Sequence, residues 1–204
     1  HPEGDVWTHT MLALGTLQKP SLELAWATLL HDIGKPDTMT VEDRIRFNGH
    51  CQVGAEMAEK ILNRLKFSNK QIERITAIIR HHMEFVNVPN MRLSTLKKFI
   101  ARESFEEEMA MHRADCLSSH GDLSTYDFLL QKKEAISKEE LKPKPFLLGR
   151  DLIAMGYEPG NHFREILDSL YDLQLEGVLT NKEQAESCLN ANYPREKYER
   201  DKTT

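Results

Sequence analysis

The chain has 204 residues, a formal net charge of −5 and 40% hydrophobic residues, enough for one core to bury roughly 70% of the unfolded surface and too apolar for a disordered chain. The acidic balance excludes a generally basic nucleic-acid or membrane-surface binder, although a local basic patch remains compatible with it. The three cysteines, Cys51, Cys116 and Cys188, form no C-x-x-C pair; they indicate neither a disulfide framework nor a thiolate zinc site, and they fit a reducing, cytoplasmic setting.

In chain order, apolar residues recurring at three and four predict helices near 5–18, 21–32, 50–66, 69–85, 94–101, 104–119, 122–136, 149–155, 161–176 and 181–190. No period-two segment is long enough to build a sheet, so an all-α protein is expected. Ser104 with Glu107 and Thr180 with Glu183 have capping-box spacing. Pro20-Ser21, Gly34 through Pro36, and Pro89-Asn90 mark breaks between helices. Lys142-Pro143-Lys144-Pro145 is the clearest linker, since each proline steers itself and its predecessor away from helix; it divides the chain into 1–141 and 142–204. The charged tail from Arg195 is expected to fray. No run of 18 apolar residues and no signal-peptide pattern is present, so no membrane association is expected. A start at His1 rather than Met is expected of a processed or shortened chain.

Of nine histidines, eight lie between His1 and His120 and only His162 lies beyond. His31-Asp32 follows an apolar helix and precedes Gly34-Lys35-Pro36. Side by side at a helix end, an imidazole and a carboxylate can share a divalent cation, the carboxylate bridging two ions if two are present. The same dipeptide, taken alone, also reads as a capped and solvated helix terminus. His9 stands on an earlier predicted helix, with His50, the pair His81-His82 and Asp115 on later ones. Ile72, Ile75, Ile79 and His82 form one stripe at spacings of three, four and three, which aims His82 inward and leaves His81 one residue off. One inward histidine is a satisfied core residue, whereas several on separate helices suggest a common ligand. Asp115 follows Met111 by four on a helix with an apolar face, so its carboxylate needs a metal or a salt bridge, with Arg113 or Arg80 as partners.

These residues resemble the H…HD…D signature of the HD superfamily of metal-dependent phosphohydrolases, with His31-Asp32-Ile33-Gly34-Lys35 a common form of its central motif. The blocks HPEGDVWTHT at 1–10, LLHDIGKP at 29–36, NGHCQVGAEMAEKIL at 48–62, IIRHHM at 78–83, HRADCLSS at 112–119 and the segment 147–185 are similar to the HD region, and the part following it, of bacterial tRNA nucleotidyltransferases and poly(A) polymerases. That family also carries a nucleotidyltransferase head with a Gly-Ser motif and paired aspartates. No stretch of this sequence resembles it, so nucleotide addition is not expected of the chain.

The resemblance implies an HD-domain helical bundle over 1–141 with a small C-terminal helical extension. It implies that His9, His31, Asp32 and Asp115 hold one divalent ion, that His50, His82 and His81 hold a second, and that Asp32 bridges. Two such ions would activate water against a nucleotide or RNA-end phosphoester. Imidazole and carboxylate donors without thiolate suit Mn, Fe, Co, Ni or Zn better than Mg. Asp32 and Lys35 are the catalytic candidates, and Lys35 and Arg113 are candidates for binding substrate phosphate. His1 belongs to the first block and is a candidate for lining the site's mouth, His112 for orienting a ligand; His120 and His162 are expected to be solvated. The competing reading is an RNA-binding region that steers tRNA, resting on Lys142, Lys144 and Arg150.

Overall fold

Helix starts are dictated locally. In the computed structural model, which describes residues 5–195 and Tyr198, the Asp5 carboxylate accepts from Thr8 N and opens α1 (Val6–Thr16). Ser21 does the same for α2 (Leu22–Leu30). His1 and most of the tail expected to fray lie outside the described residues. After the His31-Asp32 turn come α3 (Lys35–Thr38) and a short antiparallel hairpin, β1 (Thr40–Val41) with β2 (Ile45–Arg46), in which Thr40 pairs with Arg46 and Val41 with Ile45. Next are α4 (His50–Arg64), α5 (Asn69–His81), a 3₁₀ segment over His82–Asn90, α6 (Leu93–Ile100), α7 (Phe105–Ser118) and α8 (Ser124–Ala135). The chain continues through α9 (Lys138–Leu141), α10 (Gly149–Ala154), α11 (His162–Leu175) and α12 (Lys182–Asn192). The protein is all-α apart from the hairpin, and no helix among the described residues is long and apolar enough to cross a membrane.

Two of the expected caps differ. Ser104 makes no side-chain cap; its hydroxyl donates instead to the buried Glu108 carboxylate at 2.5 Å. Asn181, rather than Thr180, caps α12, because its amide oxygen reaches Gln184 N while Gln184 turns back to Thr180. Capping boxes do form at Ser68 with Gln71 and at Ser137 with Glu140. The helix expected over 69–85 stops at His81, and its C-cap residue, His82, donates its ring Nδ1–H to Ile79 O, a carbonyl of the last turn that the helix leaves unpaired.

The chain divides into two compact units, residues 1–90 with 102–134, and residues 91–101 with 135–204. This division by packing differs from one drawn at the proline linker, because α6 joins the later unit. In the first unit Leu24, Ala27 and Leu30 of α2, Ala55, Ala58 and Leu62 of α4, the stripe Ile72, Ile75, Ile78 and Ile79 of α5, and Met111 of α7 make one core. In the second, Leu147, Leu152, Tyr157, Ile166, Leu170, Leu179, Ala185 and Leu189 make another. There α6 is held against α11: Glu176 accepts from Ser94 N at 2.9 Å, and Lys97 Nζ donates to Leu175 O.

One close approach sets the position of the His31-Asp32 turn. A Cβ on Gly34 would overlap His50 O and lie 2.6 Å from Gly54 N, so only glycine lets the turn and the first turn of α4 touch backbone to backbone.

Candidate metal centre

Three helix ends and the inner faces of two more helices bring the ligand candidates together. His31 is the C-cap of α2 and His82 that of α5, His50 opens α4, His9 lies in α1, and Asp115 lies in α7. Three imidazoles are oriented alike: Nδ1 of His31 donates to Thr28 O at 2.8 Å, that of His50 to Phe47 O at 2.8 Å, and that of His82 to Ile79 O at 2.7 Å. A carbonyl can only accept, so each Nδ1 carries a proton and each ring turns its Nε2 to the interior. His9 turns Nδ1 toward Ser118 Oγ at 3.3 Å.

Asp32 lies between two groups of donors. Its Oδ2 is 3.3 Å from His31 Nε2, 3.9 Å from His9 Nε2 and 2.5 Å from Lys35 Nζ. Its Oδ1 is 3.6 Å from His50 Nε2 and 3.9 Å from His82 Nε2. Asp115 completes the first group, with Oδ1 2.9 Å from His9 Nε2 and 3.9 Å from His31 Nε2. Burial alone would raise the Asp32 carboxyl, but the hydrogen bond and charge of His31, together with Lys35, outweigh it and hold the group well below the usual carboxylate range. Asp115 is likewise lowered against its burial by His9 and His31. Burial, then the charge of His31, pushes His82 down to about 4, so it is neutral near pH 7.

Two features fit this set to a cation. His31 Nε2 is buried and lies among carboxylate oxygens, 3.3 Å from Asp32 Oδ2 and 3.9 Å from Asp115 Oδ1. His50 Nε2 and His82 Nε2 face each other at 3.1 Å, and two such lone pairs repel unless a proton or cation sits between them. His9, His31, Asp32, His50 and His82 have side chains no more than 9% exposed, whereas that of Asp115 is 31% exposed, so the cluster meets solvent on the Asp115 side.

His81 and Arg113 are not brought to this cluster. His81 Nδ1 donates to Glu108 Oε1 at 3.2 Å, within a buried network in which Ser104 Oγ and Arg102 also serve Glu108 and Arg102 reaches Glu84. Arg113 lies about 200° around α7 from Asp115 and lines a groove with Leu17, Leu24 and Tyr126. Asp115 therefore pairs with His9 rather than with Arg113, and Arg80 donates to Gln52. Lys35 lies at the cluster, with its ammonium on Asp32 and over the Phe47 ring. His112 stacks on Phe85 with centroids 4.2 Å apart. His120 is exposed and accepts from Asp122 N. His162, expected to be solvated, is half-buried between Phe163 and Tyr198.

Cys51 is a neighbour of the cluster that the sequence pattern does not assign to it. Its sulfur lies 3.6 Å from His50 Nε2 and 3.9 Å from His82 Nε2, and burial pushes its thiol up. Its place directly after His50 is the one signal the sequence carries. Among the described residues, two groups of donors thus have metal-site spacing: His9 with His31 and Asp115, and His50 with Cys51 and His82.

Residues 6–119, more than half the chain, match the HD domain. Over 90% of its length the chain is 31% identical to a CC-adding tRNA nucleotidyltransferase of Thermus thermophilus, and over 89% it is 30% identical to an A-adding tRNA nucleotidyltransferase of Deinococcus radiodurans. A multifunctional CCA protein of Halorhodospira halophila is 36% identical over 47% of the chain. The chain spans 44% and 45% of the first two relatives. With residues 6–119 matched to it, the chain belongs to the HD domain family.

Proposed function

We propose that the chain is a metal-dependent phosphohydrolase acting on a nucleotide or an RNA-end phosphoester, such as a cyclic phosphodiester or a 2′-phosphate. The observation that carries this reading is the division of Asp32, with one oxygen toward His9 and His31 and the other toward His50 and His82. His9, His31 and Asp115 would hold one divalent ion, His50 and His82 a second, and Asp32 would join them. Mn, Fe, Co, Ni or Zn suits these donors. When bound, such ions lower the pKa of water and neutralise phosphate oxygens, which is the chemistry of phosphoester hydrolysis.

The protein's own groups supply the rest. The carbonyls of Thr28, Phe47 and Ile79 keep each imidazole in the tautomer that offers Nε2. The Lys35 ammonium, held on Asp32, gives the site a fixed positive charge that can meet a phosphate oxygen. Burial of the other side chains leaves the Asp115 side as the approach for substrate. The names of the relatives refer to tRNA, which favours an RNA end over a free nucleotide.

Asp32→Ala tests this reading directly. Elemental analysis of the purified variant should show loss of bound metal, and hydrolysis of bis(p-nitrophenyl) phosphate should fall by more than about 100-fold, beyond the loss typical of a residue that only supports a ligand. Turnover at the wild-type rate would overturn the proposal. A second reading, an RNA-binding region that guides tRNA, is favoured by the extension of the tRNA nucleotidyltransferase match across the C-terminal unit and by the exposure of Lys142, Lys144 and Arg150.

A further inference from the structure

We propose that Cys51 is a protein ligand of the second ion, so that His50, Cys51 and His82 with Asp32 Oδ1 form a mixed nitrogen, sulfur and oxygen site, unlike the all-imidazole and carboxylate site beside it. The inference rests on the reading of the cluster as a two-ion centre. Tetrahedral coordination, with metal–nitrogen bonds near 2.05 Å and a metal–sulfur bond near 2.3 Å, places two nitrogens about 3.3 Å apart and sulfur about 3.6 Å from each. The structure has 3.1 Å between the two Nε2 atoms, and 3.6 Å and 3.9 Å from Sγ to them. Asp32 Oδ1, 3.6 Å and 3.9 Å from the same nitrogens, stands as the fourth donor.

Direction agrees with distance. Both Nδ1 atoms are committed to carbonyls, so the Nε2 lone pairs of His50 and His82 converge on the space that Sγ also borders. Cys116 shows the contrast: its sulfur lies 3.8 Å and 3.7 Å from the two nitrogens of a single ring, that of His112, which is the spacing of simple packing with no lone pair singled out. The neighbour that brings Cys51 in is structural. His50 and Cys51 are the first two residues of α4, and the backbone approach to Gly34 presses that end of the helix against the His31-Asp32 turn.

The chemical consequence is selectivity. A thiolate donor favours borderline and soft ions such as Zn²⁺ and Co²⁺ over Mn²⁺ or Mg²⁺, so the two positions would differ in the ion they take.

Cobalt distinguishes the donors spectroscopically. The full chain, titrated with Co²⁺ without oxygen, should take up about two equivalents by elemental analysis, one for each donor group, and develop a thiolate-to-cobalt charge-transfer band in the near ultraviolet. Cys51→Ser should lose that band, keep the visible absorption of cobalt at the His9, His31 and Asp115 site, and bind its second equivalent at least about tenfold more weakly. Cys116→Ser should keep the band. Uptake of two equivalents by the wild type without the band would overturn this inference and leave the two-ion reading intact, as would a band that survives in Cys51→Ser. Absence of cobalt binding would overturn both. The wild-type spectrum decides even where a variant does not fold.

Discussion

At the scale of single residues, Glu108 shows how a neighbour of the site can be mistaken for part of it. Its side chain is fully buried, and Ser104, His81 and Arg102 supply its hydrogen bonds. Burial would raise its carboxyl, but His81, Ser104 and Arg102 hold it below the usual value of 4.5. A folded pKa below the unfolded one means that the ionised network stabilises the fold above pH 4.5, and that the contribution fades as pH drops from there toward the folded value. Glu108→Gln should therefore cost about 1–3 kcal/mol at neutral pH, the range for a buried charged hydrogen-bond network whose partners are partly exposed. The gap to wild type should narrow below pH 4.5; denaturant midpoints at two pH values measure it, and a gap independent of pH would argue against an ionised Glu108. The network also explains what periodicity could and could not tell about the His81-His82 pair. The apolar stripe separates the two residues, because His82 continues it and His81 does not. It carries no information about a carboxylate 27 residues later that accepts from His81. Cys51 escapes it for a related reason: at a helix end two successive residues can border one space, a relation that spacing by three and four does not express.

At the scale of elements, most helices were legible because their apolar residues repeat at helical spacing and turn residues punctuate them. The hairpin of β1 and β2 was not, since two-residue strands with exposed Val41 and Ile45 leave no alternation to detect. The caps that differ at Ser104 and Thr180 show side chains choosing a stronger partner nearby, a buried carboxylate in one case and a better-placed asparagine in the other. The relation between elements that matters most for the site is the meeting of the His31-Asp32 turn with α4. Gly34 has an ordinary φ of −82°, so its role is space rather than backbone freedom. Its neighbours at that point are backbone atoms, which cannot rotate away as a flexible side chain would. Gly34→Ala should cost about 1–3 kcal/mol by overpacking and displace His50 from Asp32. Elemental analysis should then show that the ion at His50 and His82 departs before the one at His9, His31 and Asp115. Unchanged stability and metal content would show that α4 shifts without consequence.

At the scale of the whole molecule, the helix α6 is the part that sequence pattern could not place. It is amphipathic and sits between helices of the first unit along the chain, yet Ser94, Lys97 and Lys98 bind Glu176, Leu175 and Asp172, some 74 to 82 residues later. An apolar face records that a helix is packed, never which partner packs it. The C-terminal unit bears on the RNA-binding reading. Lys142, Lys144 and Arg150 are exposed there, while Glu140 is engaged with Ser137 and Asp151 with Lys182. If these three cations neutralise phosphates, the full chain should bind a tRNA transcript with an affinity that falls steeply with salt. Replacing all three by Ala should lower the slope of log affinity against log salt by up to about three, near one for each phosphate left without its cation. Filter binding across a salt series measures this, and absence of binding at low salt would remove the reading.

Each of three histidines in the centre is aimed by a carbonyl within its own four-residue stretch: Thr28 to His31, Phe47 to His50, and Ile79 to His82. Aim is therefore encoded locally and separation globally. The packing of α2, α4 and α5 has only to deliver three ready-pointed rings to the right spacing, so a core substitution that shifts a helix can loosen the centre without turning a ring, and one that alters the stretch before a histidine can spoil its aim while the core stays intact.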